Sequence, residues 1–105
     1  MDKNIIEVIN KYTDIVKRYI PIEMVVLYGS YAKGTERKYS DIDIAIVVDK
    51  IDGNYLEINS NLFNLVRLVD RRIEPVLLDM HNDKSGFLES ILKYGKIVYS
   101  NKNAA

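Results

Sequence analysis

The chain has 105 residues, enough for one domain with one core and too few for a second module. Its formal net charge is zero, so it has no overall basic field to grip a nucleic-acid backbone, and strong nucleic-acid binding is not expected. Cysteine is absent, which excludes a disulfide framework and a thiolate metal site. With no signal-peptide pattern and no apolar run of membrane-spanning length, the expected location is cytoplasmic and away from membranes.

Residues 3–19 predict an amphipathic helix. Ile5, Val8, Ile9, Tyr12, Ile15, Val16 and Tyr19 fall on one stripe, Asp2 is a candidate N-cap, and Pro21 stops continuation. Glu23–Tyr28 is a strand whose unbroken apolar run requires cover on both faces. Gly29-Ser30 ends it, and Tyr31–Lys33 has room for one helical turn before Gly34. A polar loop, Thr35–Ser40, leads to a second strand, Asp41–Val48. Period-two alternation puts Asp41, Asp43, Ala45 and Val47 on one face and Ile42, Ile44, Ile46 and Val48 on the other.

Asp49, Asp52, Gly53 and Asn54 mark a turn. A second long helix runs from Tyr55 to about Arg71, with Tyr55, Ile58, Leu62, Leu65, Val66 and Val69 as its stripe. Ile73–Leu78 is a third strand, and Pro75 places it at a sheet edge or a bulge. Gly86–Tyr94 is a short helix with Phe87, Ile91 and Tyr94 inward, followed by Gly95 as a capping residue. Lys96–Tyr99 adds a last strand, and Asn101–Ala105 should fray. The order implies an α/β (α+β) domain over residues 1–100, a small mixed sheet of three or four strands flanked by helices.

Asp41 and Asp43 carry the first chemical signal. Two carboxylates one residue apart on a strand point the same way, roughly 7 Å apart. They repel unless a cation lies between them, and hard oxygen ligands suit Mg²⁺ or Mn²⁺. Alone, the pair also describes two solvated acids at a strand's start. Gly29 lets backbone amides approach an anion closely, and the Ser30 hydroxyl can donate to a phosphate oxygen. Glu74 is the lone charge in an apolar strand. A buried carboxylate is costly, so Glu74 should meet either a cation (Arg71, Arg72 or a lysine) or a metal shared with Asp41 and Asp43. In the second case it can also deprotonate an acceptor hydroxyl.

Other residues read more plainly. Lys33, Arg37 and Lys38 suit a triphosphate or a solvated loop. Arg67, Arg71 and Arg72 read as a helix-end charge cluster. His81 has no evident role, Tyr28, Tyr31 and Tyr39 read as packing, and Asp79 as a loop cap.

The stretch GSYAKGTERKYSDID, residues 29–43, resembles the signature of the DNA polymerase beta-like nucleotidyltransferase superfamily: Gly-Ser, a polar segment, then Asp-x-Asp. Ala32-Lys33-Gly34 resembles that family's Ala-Arg-Gly step, with a point charge in place of the arginine fork. The later IEPVLLD, residues 73–79, is similar to the strand carrying the third acid, here Glu74 where many relatives have Asp. By size the chain is similar to the minimal nucleotidyltransferases, antitoxins encoded beside a helical HEPN-domain ribonuclease toxin.

The resemblance implies a polymerase beta-like fold and transfer of AMP from ATP to a tyrosine of the HEPN partner. It assigns nucleotide binding to Gly29, Ser30 and Lys33, and metal binding and catalysis to Asp41, Asp43 and Glu74, with Mg²⁺ or Mn²⁺. A binding module that masks its partner without catalysis is the alternative, as is transfer to RNA or a small molecule. Homo- or hetero-oligomers are both compatible with the sequence.

Overall fold

The computed structural model describes residues 3–101; Asp2 and most of the tail expected to fray lie outside them. The elements run α1 (Lys3–Val16), β1 (Met24–Tyr28), α2 (Ser30–Lys33), β2 (Ile42–Val48), α3 (Tyr55–Val66), β3 (Ile73–Asp79), α4 (Phe87–Tyr94) and β4 (Lys96–Ser100). The strands form one sheet in the order β3-β2-β1-β4. β1 is antiparallel to both β2 and β4, whereas β2 and β3 are parallel, joined through α3. This is the mixed α/β sheet expected from the sequence.

The alternation of β2 divides the molecule. Ile42, Ile44, Ile46 and Val48 enter the larger core with Val25 and Leu27, under Ile5, Ile9, Tyr12 and Val16 of α1 and Leu62 and Val66 of α3. Ala45 and Val47 face the other way with Val26, under Leu88 and Ile91 of α4. β1 is thus covered on both faces, as its sequence requires. The Tyr12 hydroxyl, buried between helices, donates to the Leu62 carbonyl at 2.6 Å and ties α1 to α3. Burial drives its pKa far above the ordinary phenol value.

β3 takes the edge that Pro75 demanded, and Pro75 is buried beside Ile73 and Leu77. The same alternation turns Glu74 to the opposite face, in solvent. This corrects the expectation of a buried carboxylate. α4 covers the inner strands, and the start of an edge strand lies beyond it, so the Glu74 side chain stays in contact with water.

Further corrections concern helix ends. α1 stops at Val16, and tighter i→i−3 bonds from Arg18 to Ile15 and Tyr19 to Val16 rotate Tyr19 off the stripe, leaving it 68% exposed. α3 ends at Val66, short of Arg71, and Tyr55 at its first position is exposed. In α4, Leu88 rather than Phe87 joins Ile91 inside, and Tyr94 is 67% exposed at the helix end. The Asp83 carboxylate caps α4, accepting from the Leu88 and Glu89 amides at 2.9 Å each. Asn101, expected to fray, donates its amide to the Glu23 carbonyl at 2.8 Å. No described helix is long and apolar enough to cross a membrane.

Candidate active site

Gly29 closes β1 with φ +74° and ψ −151°, a conformation essentially restricted to glycine. It is required a second time by space. A Cβ there would strike the Asp43 carboxylate and lie 3.1 Å from its Cγ. The bend and the aspartate therefore meet directly, with the Asp43 carboxylate filling the space a side chain at Gly29 would take.

Past the bend the chain makes the single turn α2. The Lys33 amide bonds the Gly29 carbonyl at 3.1 Å, the Gly34 and Thr35 amides both reach the Ser30 carbonyl, and left-handed Gly34 ends the turn. Tyr31 points into the larger core and anchors the turn. Ser30 is half-buried and Lys33 is exposed.

Register places the acids. Tyr28 pairs with Asp43 across β1 and β2, and Asp43 pairs with Glu74 across β2 and β3. Paired residues on neighbouring strands share a face, with backbones roughly 4.8 Å apart. Tyr28, Asp43 and Glu74 thus form a row on the α4 side of the sheet. Asp41, exposed just ahead of β2, lies near its end.

The electrostatics follow from that row. Asp43 is half-buried, and burial first, then the neighbouring Asp41 charge, raise its pKa above the usual carboxylate value. Tyr28 is pushed up by burial and then by the charges of Asp43 and Glu74. Glu74 is therefore near enough for its charge to act on Tyr28. Among the described residues it has no salt bridge, and the fork of Arg72, one of its expected partners, goes to Asp70 instead.

The sequence-predicted residues Gly29, Ser30, Asp41, Asp43 and Glu74 thus occupy one end of the sheet, with Lys33 one helical turn away. Among the described residues no three His, Cys, Asp or Glu side chains form a ready-made metal cage. The donor set nevertheless suits Mg²⁺ or Mn²⁺, which bind through one or two carboxylates together with substrate phosphates. Gly29 leaves free the space that the Asp43 carboxylate takes up, so any larger residue there would displace that donor.

Sequence reasoning missed two features. A cleft of about 530 Å³ adjoins the row, walled by Tyr28, Phe87 and Tyr94 with Ile91, Gly29 and Lys33. Tyr28 meets Phe87 edge to face at 5.4 Å. The cleft joins α2 to α4, and no local pattern announces it. The other feature is Arg72, which binds Asp70 and the Tyr31 hydroxyl. Asp79 does cap its loop, accepting from the Ile51 and His81 amides.

Comparison with known proteins agrees with this geometry. The family model described as "Polymerase beta, Nucleotidyltransferase" matches residues 4–104. A "putative protein adenylyltransferase" of Methanocaldococcus jannaschii is 37% identical over 49 residues, 47% of either chain, so the match spans about half of that relative.

Among solved structures, a "putative nucleotidyltransferase" from Sulfolobus solfataricus has the same fold, with a TM-score of 0.71 over 95% of this chain and 84% of that one at 20% identity. A toxin–antitoxin structure with AMP-PNP gives 0.66 over 90% of this chain and 75% of that one at 26% identity. A variant of the toxin–antitoxin pair MntA-HpeT gives 0.63 over the same shares at 22% identity. With its glycine-serine bend set against the Asp43 carboxylate and nearly all of its length matched, the chain belongs to the polymerase beta nucleotidyltransferase family.

Proposed function

We propose that this nucleotidyltransferase transfers AMP from ATP to a protein hydroxyl, a tyrosine of a HEPN ribonuclease toxin, and thereby acts as an antitoxin. The observation that carries the reading is the contact of Gly29 with Asp43 while Glu74 stands next in the row. It is supported by the description of the archaeal relative as a protein adenylyltransferase and by the likeness to toxin–antitoxin structures, one of them with AMP-PNP.

In this reading the Gly29-Ser30 bend and the free amides of the first turn of α2 receive the triphosphate. Lys33 adds a point charge, and the aromatic cleft gives the nucleoside an apolar wall. Asp41 and Asp43 would hold Mg²⁺ or Mn²⁺, which supplies positive charge against the phosphates and against charge growing in the transition state. Glu74, hydrated beside Asp43, takes the proton of the acceptor hydroxyl. The acceptor oxygen bonds to the α-phosphorus, the bond from that phosphorus towards the β-phosphate breaks, and pyrophosphate leaves.

The test is label transfer from α-labelled ATP to the toxin. Asp41→Asn combined with Asp43→Asn should reduce transfer by roughly 10²–10³-fold or more with the fold intact; undiminished transfer removes the mechanism. A second reading, masking of the toxin without chemistry, is favoured by the likeness to toxin–antitoxin structures. Ribonuclease inhibition that survives the double substitution would select it.

A further inference from the structure

Resting on the reading of the acid row as a nucleotide site, we propose that Arg72 is a positioning residue that fixes the glycine-serine bend against the two aspartates. Arg72 is bonded to a neighbour of each part: Tyr31 in α2, Ile42 between the two aspartates, and Asp70 in its own loop. Its guanidinium forms a fork on Asp70, with Nη2 to Oδ2 at 2.7 Å and Nε to Oδ1 at 3.0 Å. The remaining Nη1 donates to the Tyr31 hydroxyl at 3.3 Å. Tyr31 follows Ser30 directly and is the buried anchor of α2. The Arg72 carbonyl accepts the Ile42 amide at 2.7 Å, which pins the chain between Asp41 and Asp43. Two residues further on, β3 presents Glu74.

The fork is rigid because both partners are constrained. Asp70 also accepts the Arg72 amide at 2.9 Å, so the loop before β3 locks its own arginine in place. The paired guanidinium holds the Asp70 carboxyl below the usual carboxylate range. A lysine could keep the charge, yet it could not span Asp70 and Tyr31 in one plane. α2 is only four residues long, too short to hold itself. Its place depends on the Tyr31 ring in the core and on the Arg72 bond at the ring's end. A phosphate-binding turn displaced by an ångström mispositions the reacting phosphorus and slows transfer steeply.

Two measurements on the full chain test this. Tyr31→Phe removes only the hydroxyl, and Arg72→Lys removes the fork while keeping the charge. In amide hydrogen exchange, each variant should speed exchange of Lys33, Gly34 and Thr35 by about tenfold, with the amides of α1 and β1 unchanged. In label transfer from α-labelled ATP to the toxin, kcat should fall about tenfold while KM for ATP stays within about twofold. The double variant should be no slower than Arg72→Lys alone, because the bond that Tyr31→Phe removes is already lost with the guanidinium.

Unchanged exchange at α2, unchanged kcat, or losses that multiply in the double variant would overturn the proposal. If the wild-type chain transfers no AMP, the functional reading fails, and the exchange result still decides whether Arg72 holds the turn.

Discussion

Asp43 carries a conflict built into the molecule. It is half-buried, it stands beside Asp41, and among the described residues no cation is paired with it. Both influences penalise its charged form, so its folded-state pKa lies above the value it would have in the unfolded chain. The sign of the linkage follows. Protonated Asp43 adds stability that is fully present below the ordinary carboxylate pKa and is lost as pH rises through the raised value.

Ionised Asp43 thus weakens the fold of the metal-free chain, a cost that the proposed metal site would offset. Asp43→Asn should therefore raise the apo melting temperature at pH 7 while lowering the proposed AMP transfer. The gain should shrink as pH falls and the wild-type aspartate protonates. A variant that melts lower than wild type at pH 7 would show that Asp43 is held by attraction, contrary to this account.

At the scale of elements, the site depends on how closely α4 and β4 pack on β1. Gly95 makes that approach possible. A Cβ there would lie 2.5 Å from the Ile91 carbonyl oxygen and 2.6 Å from the Leu27 carbonyl oxygen, both backbone atoms that cannot swing aside. Its backbone is extended, with φ −93°, so Gly95 is needed for space rather than for a left-handed turn. Gly95→Ala should cost about 1–3 kcal/mol, measured by denaturant unfolding. It should also slow AMP transfer, because the strand it displaces carries Tyr28 and Gly29. Wild-type stability and activity together would refute this packing argument.

The sequence was most informative where periodicity and chemistry coincide. The alternation of β2 separated Asp43 and Ala45 from Ile42 and Ile44, and Pro75 located the sheet edge. It misled where a pattern says nothing about extent. Tyr19 and Tyr55 sit in register with their stripes, yet α1 tightens before Tyr19 and α3 begins at Tyr55. For Glu74, an apolar neighbourhood along the chain implied burial, but only the tertiary arrangement shows that α4 leaves that corner open. The Arg72–Tyr31 bond joins residues far apart in sequence, and nothing local to either marks it.

For the whole molecule, sheet topology concentrates the chemistry. The order β3-β2-β1-β4 brings the end of β1 beside the starts of β2 and β3. Tyr28, Asp43 and Glu74 therefore line up although they come from three separated segments. The α1 and α3 face is closed by core packing, whereas the single short helix α4 leaves the row on the other face open. Two other clefts lie away from it, around Ile20, Ile51 and Ile58 and along α1 and α3, and neither includes Gly29, Asp41, Asp43 or Glu74.

The central claim is that the acids and the glycine-serine bend form one metal–nucleotide site. Calorimetric titration with a non-hydrolysable ATP analogue, with and without Mg²⁺, tests it most directly. The expected result is Mg²⁺-dependent uptake by the wild-type chain that disappears in the variant carrying Asp41→Asn and Asp43→Asn. Equal uptake by both proteins, or none by the wild type, would contradict it.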